Sequence, residues 1–329
     1  MSNDTTIPIV SVIIPNLNGE KLLPSCLVAL RQSIYQDFEV ILVDNGSSDH
    51  SIDVAKSIIP NIKVISLDSN QGFSGAVQQG INQSHSQYIA ILNNDAIPEP
   101  SWLEFMLQAM ESDSRIGMVA CRILNKDGTE IDSLGLGAAR NGMAILIGHG
   151  KPIEWKSPYP KPFGPSGAAG LYRREMLNQF GGFPERFFCY YEDLWVAWQA
   201  RLRGWRCVLA GAATICHLRQ STPLNGWKNR HYWMTLNRWR TIISCWNSSL
   251  LLRHAFFLLL WEGMIKLGDI FSGNLLQGIA SRTRVVLELG YWLKIRKTTM
   301  SNTTVSTRDI HKWLIPSPSL WELIRRRFR

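Results

Sequence analysis

The sequence predicts an α/β fold: a doubly wound, mostly parallel sheet flanked by helices, followed by a helical extension of different chemistry. Three observations predict it. Short apolar runs rich in Val and Ile recur through the first hundred positions and suit strands buried on both faces. Each run ends in a polar loop, and helix-like stretches separate the runs, which is the alternation of a parallel sheet with crossover helices. Charge then divides the chain: residues 1–220 hold 18 Lys and Arg against 21 Asp and Glu, whereas residues 221–329 hold 17 against 5 and carry 8 of the 13 Trp.

The elements follow in order. Val10–Ile14 runs into Pro-Asn-Leu-Asn-Gly (15–19), Phe38–Val43 into Asp-Asn-Gly-Ser-Ser-Asp (44–49), Val64–Leu67 into Asp-Ser-Asn-Gln-Gly (68–72), and Tyr88–Leu92 into Asn-Asn-Asp (93–95). Segments 20–33, 49–58 and 74–84 are the crossover helices. Pro98–Met110 reads as a helix with proline in its first turn, and Met118–Ile123 as a strand. Five prolines within 150–166 require an irregular loop. Ser-Gly-Ala-Ala-Gly (166–170), a helix near Arg174–Phe180, Gly181-Gly182 and a helix from about Glu192 to Arg203 come next. The apolar run Cys207–Cys216 ends at His217. Ligands of such sheets bind beyond the carboxyl ends of the strands, and the four polar loops fall there.

With 45 % hydrophobic and 19 % charged residues, the 329-residue chain is globular in composition, which excludes disordered, collagen-like and low-complexity classes. Its six cysteines form no CxxC pair, so reduced thiols in a cytosolic compartment are expected. The start MSNDTTIPIV lacks a basic stretch leading into an apolar core, so no secretory signal is expected. The stretch from Leu250 to Gly268 is interrupted by Arg253, His254, Glu262 and Lys266, so no spanning helix is expected either.

Several loop residues suit a nucleotide and a metal. Asp44 follows the second apolar run, where a carboxylate can accept hydrogen bonds from a base N–H or a ribose hydroxyl, or satisfy its own turn. Asp95 follows Asn93 and Asn94, where a carboxylate suits a hard divalent cation that also binds phosphate oxygens, or caps a helix ahead of Pro98. Glu192-Asp193 opens a helix, a position that favours acids through the helix dipole and also offers a general base. His217 gains weight as a ligand only if it faces Asp95 across a cleft; otherwise it is an ordinary surface or core histidine.

The basic, Trp-rich extension suits nucleic acid, a helical dimer interface, or an anionic membrane with Trp at headgroup level and Lys and Arg towards the phosphates. The purely apolar run Ala255–Trp261 and the end Arg325-Arg326-Arg327-Phe328-Arg329 favour the membrane over nucleic acid.

Taken together, the motifs resemble the family 2 glycosyltransferases, which have the GT-A fold. Residues 10–19 resemble the family's first strand and loop, and Val43-Asp44-Asn45-Gly46-Ser47-Ser48-Asp49 its nucleoside-binding turn. Asn70-Gln71-Gly72-Phe73-Ser74-Gly75 is similar to its third loop, and Leu92-Asn93-Asn94-Asp95 to its Asp-x-Asp-type metal motif. Gly167 to Phe183 resembles its acceptor-side segment, and Tyr191-Glu192-Asp193 its Glu-Asp pair. The resemblance covers about residues 8–222, with a nucleotide-sugar half at 8–97 and an acceptor half at 98–220; 221–329 is the extension. The nearest subgroup is the rhamnosyltransferase-like enzymes of bacterial cell-surface polysaccharide assembly, which commonly carry Asn-x-Asp as at Asn93 to Asp95.

The resemblance implies roles. Pro15, Asn16 and Asn18 wall the nucleoside, Asp44 contacts base or ribose, and Asn70, Gly72, Asn93 and Asn94 belong to the donor site. Asp95 and His217 hold Mg²⁺ or Mn²⁺ on the donor diphosphate, near which Ser221 lies. Gly167 and Glu192 face the acceptor, and Asp193 is the general base. The implied activity is inverting transfer of a sugar, with rhamnose as a candidate, from a nucleoside-diphosphate donor to a glycan or lipid-linked glycan. The implied place is the cytoplasmic face of a bacterial cell membrane, with no nucleic-acid partner. The sequence departs from the family at Trp195, Val77-Gln78, Pro184 and Asn93. Two other readings stay open: a non-enzymatic interaction protein on a decayed scaffold, and a nucleotidyltransferase, which lacks support because no basic residue precedes Lys21.

Overall fold

The computed structural model describes residues 7–158, 161–219 and 229–317. Ser221, Trp227, Trp321 and the basic end 325–329 lie outside the described residues.

Strands β1 (Val10–Asn16), β2 (Phe38–Asp44), β3 (Lys63–Ser66) and β4 (Tyr88–Leu92) pair in parallel in the order β3-β2-β1-β4. Helices α1 (Leu23–Arg31), α2 (Ser51–Ile58) and α3 (Gly72–Gln83) connect them, as the alternation predicts. The strands are apolar throughout because both faces are covered: Val10, Val12 and Ile14 share a core with Leu23 and Leu27 of α1, and Ile13 with Val77 and Ile81 of α3.

The next strands are β5 (Ala96–Pro98), β6 (Ile116–Leu124), β7 (Glu130–Ser133), β8 (Leu136–Ala139), β9 (Ala144–Leu146), β10 (Lys151–Pro152), β11 (Ala169–Arg173) and β12 (Arg206–His217). Here the parallel expectation gives way to a mixed sheet. β11 lies antiparallel between β4 and β6, while β12 runs parallel to β6 and antiparallel to β5. The chain returns to β11 through hairpin strands and the proline-rich loop rather than a crossover helix, so it enters from the opposite end. Pro98 closes β5 instead of opening a helix; α4 (Trp102–Glu111) starts four residues later.

Helices α5 (Arg174–Asn178) and α6 (Glu192–Leu202) precede β12. The extension forms α7 (Arg230–Cys245), α8 (Ser248–Phe271), α9 (Leu275–Leu287), α10 (Leu289–Ser301) and α11 (Thr307–Trp313). β13 (Leu314–Ile315) then pairs with β8. The compositional break near residue 220 is not a break in packing. Trp246 and Trp292 lie in one core with Trp195 and Trp198 of α6. Trp195 Nε1 donates to Ser244 Oγ at 3.0 Å, and Gln199 Nε2 to Thr299 Oγ1 at 3.0 Å. The departure at Trp195 therefore serves to seat α7.

The expectation of Trp at a membrane headgroup level does not extend to Trp246 and Trp292, which serve the core. Trp246 and Trp292 are buried and the others of the extension are half-buried, while Leu and Phe occupy the outer surface. Large rings fill a core, and Trp292 Nε1 also donates to Glu288 Oε2 at 3.0 Å. Among the described residues no helix is long and apolar enough to cross a membrane.

Candidate active site

The carboxyl ends of β1, β2 and β4, the end of β12 and the start of α6 enclose a cleft of about 320 Å³. Of the residues singled out in the sequence, Pro15, Asn16, Asn93, Asn94, Gly167, Glu192, Asp193 and His217 line it. Asn18, Asp44, Asn70, Gly72 and Asp95 are not in its lining and act on it through neighbours.

Those neighbours form a polar lattice across the strand ends. Asn94 Nδ2 donates to Asn16 Oδ1 at 2.8 Å, and Asn16 Nδ2 donates to Asp44 Oδ1 at 3.1 Å. Asp44 is almost fully buried and also accepts from Ser47 Oγ at 2.5 Å and Ser47 N at 3.1 Å, so here its carboxylate closes its own turn. Asn18 braces the same turn: its backbone N–H donates to Ser47 Oγ and its Oδ1 accepts from Ser48 N, both at 2.8 Å. Asn45, which lines the cleft and follows Asp44 in the 43–49 turn, joins two loops by donating to Asn70 Oδ1 and Gly72 O, each at 3.0 Å.

Gly72 has φ +77°, and a Cβ there would lie 2.3 Å from the carbonyl oxygen of Phe188. Its part is close approach between the third loop and the 188–191 segment, which only glycine permits.

Asp95 and His217 do meet. β12 pairs antiparallel with β5 so that His217 sits opposite Ala96, and His217 Nε2 lies 3.2 Å from Asp95 Oδ1. On its other side His217 Nδ1 lies 2.9 Å from Asp132 Oδ2. Asp132, on β7, is buried and also pairs with His149 and Arg219. Burial opposes charge on His217, but hydrogen bonds to Asp132 and Asp95 outweigh it and lift the imidazole to about 9. Burial likewise raises Asp132, and its bonds to His149, His217 and Arg219 overcome that and hold the carboxyl far below the usual range. Asp132 carries no local motif; 85 residues separate it from His217, and only the fold joins them.

These residues fit a divalent cation. Among the described residues no three His, Cys, Asp or Glu side chains gather as a metal site. Asp95 Oδ1 and His217 Nε2 nevertheless have the spacing of neighbouring ligands on one ion with bonds of about 2.1 Å. Asn93 Oδ1 is buried with no hydrogen-bond partner, and its amide nitrogen is 3.5 Å from His217 Nε2. A carboxylate, an amide oxygen and, once a cation displaces its Nε2 proton, an imidazole suit Mg²⁺ or Mn²⁺ with positions left for phosphate oxygens and water.

The Glu192–Asp193 pair opens α6 after a strained segment. Phe188, Tyr190 and Tyr191 have φ of 61°, 67° and 71°, all in the region that non-glycine residues avoid. Asn237 of α7 holds this segment: its fully buried Nδ2 donates to the carbonyls of Phe187, Cys189 and Tyr190 at 2.8, 2.9 and 2.9 Å. No motif marks Asn237, which sits in a helix assigned to the extension.

Asp193 Oδ2 accepts from Gly167 N at 3.0 Å and Oδ1 from Leu194 N at 2.7 Å. Burial raises Asp193 to about 6 against these bonds. Glu192 is buried, its Oε2 has no hydrogen-bond partner, and burial followed by the Asp193 charge pushes it well above the carboxylate range. Both acids are thus pushed upward by burial, and the Asp193 charge adds to the rise of Glu192.

This geometry has relatives. A protein of Mycobacterium tuberculosis named N-acetylglucosaminyl-diphospho-decaprenol L-rhamnosyltransferase is 27 % identical over 235 residues, 64 % of this chain and 75 % of that one. Glycosyltransferase AglE of Haloferax volcanii is 36 % identical over 105 residues, 30 % of this chain and 34 % of that one. Among solved structures, the mannosyltransferase PcManGT of Pyrobaculum calidifontis in complex with GDP-Man and Mn²⁺ has a TM-score of 0.52 at 17 % identity, covering 91 % of this chain and 86 % of that one. GalNAc-T7 with UDP, GalNAc and Mn²⁺ has a TM-score of 0.58 at 15 % identity, covering 74 % and 49 %. These structures share the GT-A fold. The family model described as glycosyl transferase family 2 matches residues 11–181, just over half of the chain, and the protein belongs to that family.

Proposed function

We propose that the protein is an inverting, metal-assisted glycosyltransferase that moves a sugar, rhamnose being the first to test, from a nucleoside-diphosphate donor to a hydroxyl of a lipid-linked glycan. The observation that carries this reading is one cleft lined by the Asp193 carboxylate beside Glu192 and by Asn93 and His217, with Asp95 behind the lining against His217 Nε2. The name of the mycobacterial relative, which cites both L-rhamnose and a decaprenol diphosphate, supports the sugar and the acceptor class.

The nucleoside lies against Pro15 and Asn16, with the Asp44 turn behind them. Asp95 and His217, with Asn93, would hold Mg²⁺ or Mn²⁺, which when bound supplies positive charge against the leaving diphosphate. Asp132 keeps the His217 ring oriented through Nδ1. Ser221, outside the described residues, is proposed on the diphosphate side. Asp193 takes the acceptor hydroxyl proton as that oxygen bonds to the anomeric carbon and the bond from this carbon to the diphosphate oxygen breaks. Attack from the face opposite the leaving group inverts the configuration. The Gly167 N–H and the start of α6 hold Asp193 in place, and Glu192 stands beside it on the acceptor side. The acceptor lipid puts the protein at the cytoplasmic face of a bacterial membrane, as a peripheral protein without nucleic acid.

The test is transfer of labelled sugar from a panel of nucleoside-diphosphate sugars, rhamnose, glucose, galactose and mannose, to butanol-extractable lipid of bacterial membranes. One donor should label lipid with the full chain and not with Asp193→Asn. Labelling of free sugar alone, or equal labelling by Asp193→Asn, contradicts the reading.

A further inference from the structure

Helices α8 to α10 are built with their polarity reversed. Their three acids all face inward into ion pairs. Glu262 pairs with Arg238 and Arg282 at 3.1 and 2.5 Å, Asp269 with His231 and Arg282 at 2.7 and 2.8 Å, and Glu288 with Arg240 and Arg284 at 2.6 Å each. The large apolar residues face outward: of the 20 exposed ones among the described residues, 16 lie between Leu252 and Leu293. A water-facing helix has the opposite arrangement, and a patch of this extent marks an interaction surface.

The exposed charges here are of one sign. Arg253, Lys266, Arg284, Lys294 and Lys297 are exposed, and no acid is. Their distribution is also graded. From Leu267 to Ser281, across the turn between α8 and α9, the one charged residue is the buried Asp269. Phe271 and Leu276, which flank this turn, are 86 % and 81 % exposed. An apolar tip with basic residues on either side matches the hydrocarbon boundary and phosphate layer of an anionic bilayer. A second copy of the chain would set like charges against each other, and nucleic acid has no use for the Leu and Phe.

We infer that α8, α9 and α10 form an in-plane anchor that seats in an anionic lipid bilayer, with the α8–α9 turn inserted into the acyl boundary. α8, 24 residues or about 36 Å long, lies along the surface rather than across it. The anchor deepens the reading above, on which it rests for the lipid-linked acceptor. α9 and α10 pack on α7, whose Asn237 holds the segment before Glu192, so the anchor and the cleft are parts of one packed unit.

The experiment is cosedimentation of the full chain with vesicles of pure phosphatidylcholine, or of phosphatidylcholine and phosphatidylglycerol at 4:1, in 0.1 and 0.5 M NaCl. The wild type should bind both kinds, the anionic more tightly, and keep a large part of its binding in high salt. Phe271→Ser/Leu276→Ser should lower partitioning on the order of 100-fold, about tenfold per withdrawn side chain. The separate pair Leu259→Ser/Leu287→Ser should lower it similarly. Lys294→Glu/Lys297→Glu should remove the anionic preference and leave phosphatidylcholine binding. All these side chains are exposed, so an unchanged thermal midpoint is the folding check. Binding abolished by 0.5 M NaCl, unaltered in both serine pairs, or replaced by a dimer that the serine pairs dissociate, overturns the inference. Nucleoside-diphosphate binding by the same proteins keeps the two readings apart: its absence beside normal vesicle binding sinks the cleft reading alone.

Discussion

Replacing Asp193 with Asn preserves shape while removing the group proposed to take the acceptor proton. The carboxylate accepts from Gly167 N and Leu194 N, and an amide has one acceptor oxygen, so one of these bonds is lost at about 1 kcal/mol. Against that, the charge is held where burial raises it from 3.8 to about 6. That rise corresponds to at most about 3 kcal/mol, and the cleft-facing side of this half-buried group leaves about 1–2 kcal/mol after solvent screening. The variant should therefore be as stable as the wild type or slightly more so at pH 7.5. Turnover should fall about 10²–10⁴-fold, the usual share of a positioned base.

The pH dependence follows with its sign. Transfer should decline as pH falls through about 6, where Asp193 takes up its proton. The native state binds that proton more tightly than the unfolded chain, so its contribution to stability falls as pH rises from about 4 to 6. That slope should flatten in Asp193→Asn. The assays are sugar transfer to membrane lipid from pH 5 to 8 and urea unfolding over the same range. Turnover within threefold of wild type, or a flat pH profile in the wild type, would refute the reasoning.

Asn237→Ala removes the donor from three carbonyls of a strained segment; kcat should fall at least tenfold while the nucleotide Kd changes less than threefold, measured by steady-state kinetics and calorimetry. Asp132→Asn loosens the His217 ring and should weaken Mn²⁺ affinity about 10–100-fold, read by titration of the nucleotide-loaded protein, with nucleotide binding in the absence of metal unchanged. Gly72→Ala forces a side chain into a positive-φ site against Phe188 and should cost about 2–4 kcal/mol in urea unfolding.

The strand-loop-helix alternation of the first hundred residues was legible because strands covered on both faces must be continuously apolar, as Tyr88–Leu92 is. The meeting of Asp95 with His217 was legible only as a condition, since β12 had to pair with β5 to satisfy it. Asp132 and Asn237 were not legible. Each acts on a residue about 50 or more positions away, and neither interrupts the pattern of its own strand or helix. In the extension, which residues face the core was hidden for a different reason. Periodicity separates two faces of a helix but does not say which one faces inward, and Trp246 and Trp292 were needed in the core that α6 shares with α7 and α10.

The central claim is that one cleft binds a nucleoside diphosphate through a cation held by Asp95 and His217. Calorimetric titration of the full chain with a panel of nucleoside diphosphates, with and without Mn²⁺, tests it most directly. The account predicts binding of one base that strengthens with Mn²⁺ and loses that gain in Asp95→Ala. Binding of no nucleotide by the folded protein, or equal Mn²⁺-dependent binding by Asp95→Ala, would contradict it.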